Sequence, residues 1–262
     1  MSPASNKYVE ERIIFPLYKL KQHLTYQLFE AGRASDRILS GLRDQYRGKR
    51  CFILGNGPSL RNTDLSKLRA EYTFGLNRIY LLFPEMGYST SWLVTINQLL
   101  LEQCAQEILA LPTVKFLPWS FRKELPSTLP ENTVFFQDSS HRKVFELDAR
   151  KPLWSGATVT FITMQLAYHL GFEQVILVGV DHSFTTQGKP HAEVVSQGDD
   201  PNHFSPDYFG KGFRWQLPDL ETSEFAYKLA RQAFESSGRQ ILDATIGGKL
   251  TVYPKVDYSS LF

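Results

Sequence analysis

The sequence predicts a Rossmann-like α/β fold, with a mostly parallel sheet, helices on both faces, a long lid loop and an amino-terminal helical extension. From residue 50 onward, short apolar runs alternate with segments of helix length, which is typical of strands joined by helical crossovers. The run QVILVGVD, residues 174–181, is apolar throughout its strand-length core, as expected of a strand covered on both faces. Residues 183–218 carry four glycines and four prolines, which predicts a long ordered loop or lid.

The remaining elements follow from the same patterns. Apolar runs of strand length predict strands at 51–55, 73–77, 92–97, 113–117, 133–137, 174–181 and 239–245. Helical spacing of apolar residues predicts helices over 98–109, 155–170 and 220–234.

The first fifty residues differ in charge from the rest of the chain. They hold ten Lys and Arg against five Asp and Glu, whereas the remainder holds 19 against 22. Apolar spacing over Leu17–Leu28 and Ile38–Tyr46, with Gly32 as the break, predicts two amphipathic helices. We therefore divide the chain into a basic helical arm, residues 1–48, and a Rossmann-like domain, residues 49–262. The arm is expected either to pack on this domain or to dock on an anionic membrane surface or an acidic partner.

Composition excludes several classes of protein. No apolar stretch approaches the roughly 20 residues that span a bilayer, and the first residues lack a secretory pattern; we expect a cytoplasmic protein, with peripheral contact at the inner membrane surface through the arm. Cys51 and Cys104 form no CxxC pair, so both are expected to be reduced and buried. Histidine and cysteine spacing predicts no metal site, and the acidic body predicts no nucleic-acid partner. The oligomeric state stays open.

Polar residues cluster where the predicted strands end. In an open α/β sheet, ligands bind beyond the carboxyl ends of the strands, and four strands here run into Gly55–Ser59, Asn77, Asn97 and Asp181-His182. Glycines let the backbone approach a ligand, and a helix start near Ser59 offers N–H groups to an anion. The loop is neither a Walker A motif nor a full GxGxxG. A phosphate-type loop and a plain turn are both open on this motif alone, and the asparagines favour the former.

The ordered set of motifs resembles two families. The segments are FILGNGPSL, FGLNRIYL, INQLLLEQ, WSGATVTFITMQLAYHLGF, VILVGVDHSF and DPNHF. In order and spacing they resemble the bacterial sialyltransferases that decorate lipooligosaccharide, and more closely the bacterial 6-hydroxymethylpterin diphosphokinase MptE-like proteins. The resemblance covers about residues 49–262, and the basic arm lies outside the sialyltransferase match.

The sialyltransferase resemblance implies roles for individual residues. The phosphate and sugar of a CMP-linked donor would be held by Gly55, Asn56, Gly57, Ser59 and Asn77. Asn97 matches the asparagine of a further donor motif, and Ser155-Gly156 matches a turn at the nucleotide. His203, followed by an aromatic residue, matches the catalytic base. Two lid tyrosines that hold the donor phosphate in those enzymes are replaced here by Phe184 and His191.

Chemical requirements point to the same residues. Glycosyl transfer to a hydroxyl needs a base that titrates near neutral pH and donors for the leaving phosphate. A histidine in a lid, such as His203, suits the first role. Arg78, at a strand end, is the best candidate charge partner for the phosphate, with Lys211 and Arg214 as others. Asp181 and His182 follow the most apolar strand and are further catalytic candidates, the alternative being a turn-capping aspartate with a packed histidine.

The sequence therefore predicts an inverting glycosyltransferase that needs no metal or other cofactor. We expect its donor to be a nucleotide-sugar of the CMP-sugar class, and its acceptor to be a glycan, a lipid-linked glycan or another hydroxyl. The first alternative is a pyrophosphokinase that transfers diphosphate from ATP to a pterin alcohol and uses Mg²⁺ held by carboxylates such as Asp181, Asp199 and Asp200. The third strand, however, ends at Asn97 without a carboxylate. Two further alternatives are another nucleotide-dependent transferase and a nucleotide-binding or scaffold protein without catalytic activity.

Overall fold

The computed structural model describes residues 15–139, 142–186 and 188–262. Its helices are α1 (Phe15–Leu28), α2 (Glu30–Leu42), α3 (Phe83–Met86), α4 (Gln98–Ala110), α5 (Val159–Leu170) and α6 (Leu220–Glu235). Its strands are β1 (Arg50–Leu54), β2 (Tyr72–Leu76), β3 (Trp92–Val94), β4 (Val114–Pro118), β5 (Thr133–Phe136), β6 (Asp138–Ser139), β7 (Leu153–Trp154), β8 (Gln174–Val178), β9 (Glu193–Val195), β10 (Arg214–Gln216) and β11 (Gln240–Asp243). Short 3₁₀ turns lie at Pro58–Asn62, Leu65–Leu68, Ile79–Leu82, Trp119–Glu124 and Tyr258–Leu261.

The main sheet has seven strands in the order β11-β8-β1-β2-β3-β4-β5, and every neighbouring pair in it is parallel. The chain builds the sheet outward from β1 to β5 and then returns to β8 on the other side of β1. Ile53 of β1 is therefore paired with Phe74 of β2 on one side and Leu177 of β8 on the other. This is the Rossmann-like α/β architecture that the sequence predicts, and its topological switch point lies between β1 and β8.

Both faces of the sheet are buried. In β1, Cys51 and Ile53 pack into one apolar core, whereas Phe52 and Leu54 pack into a second core on the opposite face. This alternation follows from the two-residue repeat of a strand, and it explains why the strand runs are apolar at every position. Cys51 and Cys104 are buried with free thiols, as predicted.

Two predicted helix boundaries are wrong. The helix expected from residue 155 begins at Val159, because Gly156 and Ala157 have φ angles of 56° and 58° and cannot continue a right-handed helix. The break in the arm falls at Phe29 instead of Gly32. Gly32 lies inside α2, where a Cβ atom would come within 1.9 Å of the Tyr26 carbonyl oxygen, so this glycine permits close packing of the two helices.

The two arm helices pack on the edge strand β5. Tyr26 of α1 donates a hydrogen bond to the Phe135 carbonyl at 3.2 Å, and Ser35 of α2 accepts one from the Phe135 N–H at 2.8 Å. These side chains satisfy backbone groups that an edge strand would otherwise expose. The predicted boundary near residue 48 stays a prediction, and residues 1–14 of the arm lie outside the described residues. Within the described ranges, no helix has both the length and the apolar character needed to cross a membrane.

The lid is an ordered segment over most of the predicted range, of which residue 187 is not described. Its strands β9 and β10 form an antiparallel hairpin, with Trp215 opposite Val194. Phe204, Tyr208 and Phe209 are buried in the same apolar core as one face of β1. These aromatic side chains thus form the apolar underside of the lid.

Lys115 supplies a test of the core at alkaline pH. Its side chain is fully buried in β4 and donates to the carbonyls of Leu109 and Leu111 near the end of α4. Burial lowers the pKa of this ammonium group to about 8, against about 10.4 in an unfolded chain. Between these values the unfolded state binds more protons, so Lys115 makes stability rise with pH there, by about 2 kcal/mol from pH 7 to 9.5.

Lys115→Met removes this titration while the buried tyrosines and Cys51 still titrate in both proteins. We expect the free energy of unfolding of the wild type to rise relative to that of the variant between pH 7 and pH 9.5, measured by urea unfolding. An unchanged difference between the two proteins at the two pH values would contradict the assignment.

Candidate functional site

A cavity of about 760 Å³ lies at the carboxyl ends of the strands, beside the switch point. Its walls come from the loops after β1, β2, β3 and β8, from the start of α5 and from the lid. Predicted site residues that line it are Gly55, Asn56, Gly57, Asn77, Asn97, Ser155, Asp181, His182 and His203. The parallel sheet thus brings most of the predicted site to one place, as expected from the strand-end rule.

The two glycines of the first loop are required by the neighbouring strand. Gly57 donates its N–H to the Gly179 carbonyl at 2.9 Å. A Cβ atom at Gly55 would lie 2.2 Å from the Gly179 oxygen, and one at Gly57 would lie 1.8 Å from the Asp181 Oδ2 atom. The loop after β1 therefore touches the loop after β8 directly. From the sequence, these glycines are expected to let a ligand approach the backbone. In the structure, the groups that approach them are Gly179 and Asp181 of the protein itself.

Asp181 holds the first loop. Its Oδ2 accepts a hydrogen bond from Ser59 Oγ at 2.6 Å, and its Oδ1 accepts one from the Ser59 N–H at 3.1 Å. The carboxylate thus accepts the Ser59 N–H, a group that is predicted from the sequence to bind an anionic ligand. This is the arrangement of a turn-capping aspartate. His182 follows with a φ of 54° and lies 6.0 Å from the Tyr227 ring. Burial lowers the pKa of His182.

The three strand-end asparagines differ in their free groups. Asn77, with a φ of 48°, accepts a hydrogen bond from Thr95 Oγ1 at 2.9 Å. Asn97 caps α4, since its Oδ1 accepts the Leu100 N–H at 3.0 Å. The Oδ1 atom of Asn56 is buried and has no hydrogen-bond partner among the described residues. Because a buried polar atom without a partner is costly, Asn56 is the asparagine best placed to bond to a ligand.

Arg78 lies under the lid instead of in the cavity wall. Its guanidinium donates to the carbonyls of Asp207, at 3.1 Å, and Tyr208, and it lies 4.8 Å from the Phe213 ring. The predicted role as a phosphate partner does not fit this position, because these lid groups occupy the side chain. In the structure, Arg78 links the lid to the end of β2.

The other two basic candidates differ from each other. Arg214 lines the cavity and pairs with Glu102 at 2.7 Å and with Glu193 at 3.6 Å. Lys211 is exposed and outside the described cavity wall.

His203 of the lid is held by a hydrogen bond and by ring stacking. Its Nδ1 lies 2.7 Å from Asp200 Oδ2, and its ring stacks on Tyr208 with centroids 3.9 Å apart and planes 11° apart. Asp200 is itself buried and accepts hydrogen bonds from the backbone N–H groups of Asn202 and Phe209. A carboxylate that accepts from Nδ1 fixes the proton there and leaves Nε2 as the acceptor.

The lid segment that carries His203 is bonded to the first loop. The Phe204 N–H donates to the Asn56 carbonyl at 2.9 Å. Arg61 donates to the carbonyls of Phe204 at 2.7 Å and His203 at 3.1 Å. Arg61 is not among the residues predicted from the sequence, and Asp200 is predicted there only as a metal ligand of the alternative function. The three-residue spacing between Asp200 and His203 is a signal that could have linked them.

The start of α5 forms the opposite wall. Ser155, Ala157 and Thr158 line the cavity, and Thr158 caps the helix by accepting the Thr160 N–H at 3.3 Å. The positive end of this helix therefore faces the cavity, which favours an anion. The predicted residue Gly156 lies behind this wall, where a Cβ atom would come within 2.5 Å of Ala226 Cβ.

Carboxylates of the cavity wall are already engaged. Asp181 bonds to Ser59, Glu102 pairs with Arg214, and Asp219 caps α6 through the Thr222 N–H at 2.9 Å. His191, which takes the place of a lid tyrosine, lies 3.4 Å from Asp219. In the described part of the chain, no group of three or more His, Cys, Asp or Glu residues is placed to hold a metal ion.

Asp181→Ala tests whether this carboxylate supports the loop. The variant leaves the Ser59 N–H and hydroxyl without their acceptor, so we expect a loss of about 2 kcal/mol in the free energy of unfolding. Urea unfolding measures it, and Asp199→Ala, which removes an exposed aspartate, serves as the matched control. Equal stabilities of the two variants would show that Asp181 does not support the loop.

Comparisons with known proteins give a family match and a structural likeness. The family model described as 6-hydroxymethylpterin diphosphokinase MptE-like matches residues 26–187. The solved structure of MAf glycosyltransferase from Magnetospirillum magneticum AMB-1 is similar over 88% of this chain and 39% of that chain, with 13% identity and a TM-score of 0.49; this chain thus spans well under half of that protein. No curated protein matches the sequence. Because the family match covers more than half of its residues, the chain belongs to the MptE-like family.

Proposed function

We propose that the chain is a glycosyltransferase that moves a sugar from a nucleotide-activated donor, a CMP-sugar, to the hydroxyl group of a glycan or other acceptor. The observation that carries the proposal is the Asp200–His203 pair: His203 lines the cavity, and its Nδ1 lies 2.7 Å from Oδ2 of the buried Asp200. A buried carboxylate behind a histidine orients the ring and stabilises the imidazolium that forms when the ring accepts a proton. Acceptor activation requires this behaviour.

In the proposed reaction, Nε2 of His203 takes the proton of the acceptor hydroxyl. The acceptor oxygen forms a bond to the anomeric carbon while the bond from that carbon to the donor phosphate oxygen breaks. CMP leaves with the bonding electrons on its phosphate, and the configuration of the sugar is inverted because the displacement is direct. The protein contributes the base, its orientation through Asp200 and an environment for the developing phosphate charge.

The leaving phosphate fits best at the start of α5. The first turn of this helix lines the cavity at Thr158 and Thr160, and its dipole stabilises a negative charge there. Across the cavity, the unpartnered Asn56 Oδ1 could accept a hydrogen bond from a ribose hydroxyl or a base amino group. A helix end and neutral amides bind a nucleoside monophosphate without a cation, so the proposed reaction needs no metal.

The lid gives the base a fixed position. His203 is tied to Asp200 on its own segment, and the following residue is tied to the Asn56 carbonyl. The base therefore keeps a fixed position relative to the proposed nucleotide loop, and less entropy is lost when the reactants are aligned.

The MptE-like description favours a second candidate, transfer of diphosphate from ATP to a pterin alcohol. This reaction would need Mg²⁺ bridged by carboxylates and phosphates. The three carboxylates predicted to hold Mg²⁺ have different partners. Asp181 is hydrogen-bonded to Ser59, Asp200 is hydrogen-bonded to His203, and Asp199 is exposed. The geometry therefore supports the glycosyltransferase better than the diphosphokinase.

Substitutions in the histidine pair test the base. His203→Ala is expected to lower kcat by about 10³-fold and Asp200→Asn by about 10²-fold, with CMP affinity within about twofold of the wild type. The assay is release of CMP from CMP-N-acetylneuraminate, with and without a glycan acceptor, alongside calorimetric titration with CMP. Asp207→Asn, an exposed lid aspartate, is the matched control. Full turnover in His203→Ala would remove this residue from the role of base.

Nucleotide selectivity separates the two candidate reactions. At about 100 times its dissociation constant, CMP should stabilise the fold by about 2.7 kcal/mol, which raises the Tm by roughly 5 °C for a chain of this size. Thermal unfolding is measured with CMP, CDP, UDP, GDP and ATP, each with and without Mg²⁺. The proposal expects CMP to act without Mg²⁺. Stabilisation by ATP alone, and only with Mg²⁺, would favour the diphosphokinase and contradict the proposal.

A further inference from the structure

Helix α1 carries a stripe of exposed leucines. Leu17, Leu20, Leu24 and Leu28 are 59%, 53%, 46% and 70% exposed. Their spacing of three, four and four residues places them on one face of the helix, within about 80° of arc at 100° per residue. Single exposed leucines are ordinary, but a continuous row of them marks a contact surface.

The orientation of this leucine stripe is fixed by the opposite face of α1. Tyr26 donates to the Phe135 carbonyl, His23 lies 2.8 Å from Gln137 Oε1, and Thr25 accepts from Trp119 Nε1 at 3.2 Å. Tyr26 is about 160° around the helix from Leu24. Since the packed face lies against the protein body, the leucine stripe points away from it.

The charge around the stripe selects the partner. Helix α1 itself contains Lys19 and Lys21 and no Asp or Glu. A second copy of the chain would bring the same positive excess against this surface, whereas an anionic bilayer attracts it. Leucines on one side of a helix with basic residues around it are the features of helices that lie in a membrane interface. We propose that the leucine stripe of α1 docks on the surface of a bilayer that contains anionic lipids.

The position of α1 gives this docking a consequence for the cavity. Its partners Trp119 and Gln137 directly follow β4 and β5, and the last residues of these strands, Pro118 and Phe136, line the cavity. The helix is thus attached to the same edge of the sheet as the candidate site. When the protein docks, its cavity would lie close to the membrane surface. A lipid-linked acceptor would then be near the cavity, a consequence that rests on the proposed function.

The test is flotation of the full chain with vesicles of phosphatidylcholine alone or with 30 mol% phosphatidylglycerol. We expect binding to the anionic vesicles and about tenfold weaker binding to the neutral ones. Leu20→Gln/Leu24→Gln should lower binding to anionic vesicles at least about tenfold with an unchanged Tm. The matched control is Phe225→Gln, which replaces a helical residue with 47% exposure on α6 and should bind as the wild type does.

Light scattering coupled to gel filtration supplies the competing outcome. A wild-type dimer that becomes monomeric in the double-leucine variant would show that a second copy covers the stripe and would overturn the proposal. Absence of binding to either vesicle, or equal binding by the wild type and the double variant, would also overturn it. None of these results depends on nucleotide binding or turnover, so the docking and the proposed function can fail separately.

Discussion

The contact between the loops after β1 and β8 is the constraint on which the site depends. Gly57 lies against Gly179 and Asp181, and the Asp181 carboxylate holds both the N–H and the hydroxyl of Ser59. Strands β1 and β8 are neighbours because the chain adds β2 to β5 on one side of β1 and then places β8 on the other side. The contact between their loops therefore depends on the strand order of the sheet. The contact between these two loops forms the base of the cavity at the switch point, and the other loops and the lid form its walls.

Three residues join the lid to this part of the molecule. Arg78 donates to the carbonyls of Asp207 and Tyr208. Asn56 accepts the N–H of Phe204, and Arg61 donates to the carbonyls of His203 and Phe204. His203 lies between these fastenings and is stacked on Tyr208. Its position is thus set by the backbone of two distant segments, which explains how a histidine in a Gly- and Pro-rich loop becomes an ordered member of the cavity wall.

The sequence predicts the fold well because both faces of the sheet are buried, so strand runs such as QVILVGVD are apolar at every position. It also predicts which residues meet, since the carboxyl ends of parallel strands share one edge. The sequence patterns do not indicate in which direction an individual side chain points. Arg78 is adjacent to a site asparagine in sequence but turns under the lid, and Asp181 turns toward Ser59, because each meets partners more than 100 residues away. The late start of α5 has a local cause, the positive φ angles at Gly156 and Ala157, which no apolar spacing reveals.

The most direct test of the account is a crystal structure of the full chain with CMP. The account predicts that the nucleotide lies in the cavity at the switch point, with its phosphate at the first turn of α5 and within reach of Thr158 and Thr160. The Asn56 side-chain amide would bond to the ribose or the base, and His203 would face the open side of the phosphate. A CMP molecule bound outside this cavity, or one whose phosphate lies far from the start of α5 and from His203, would contradict it.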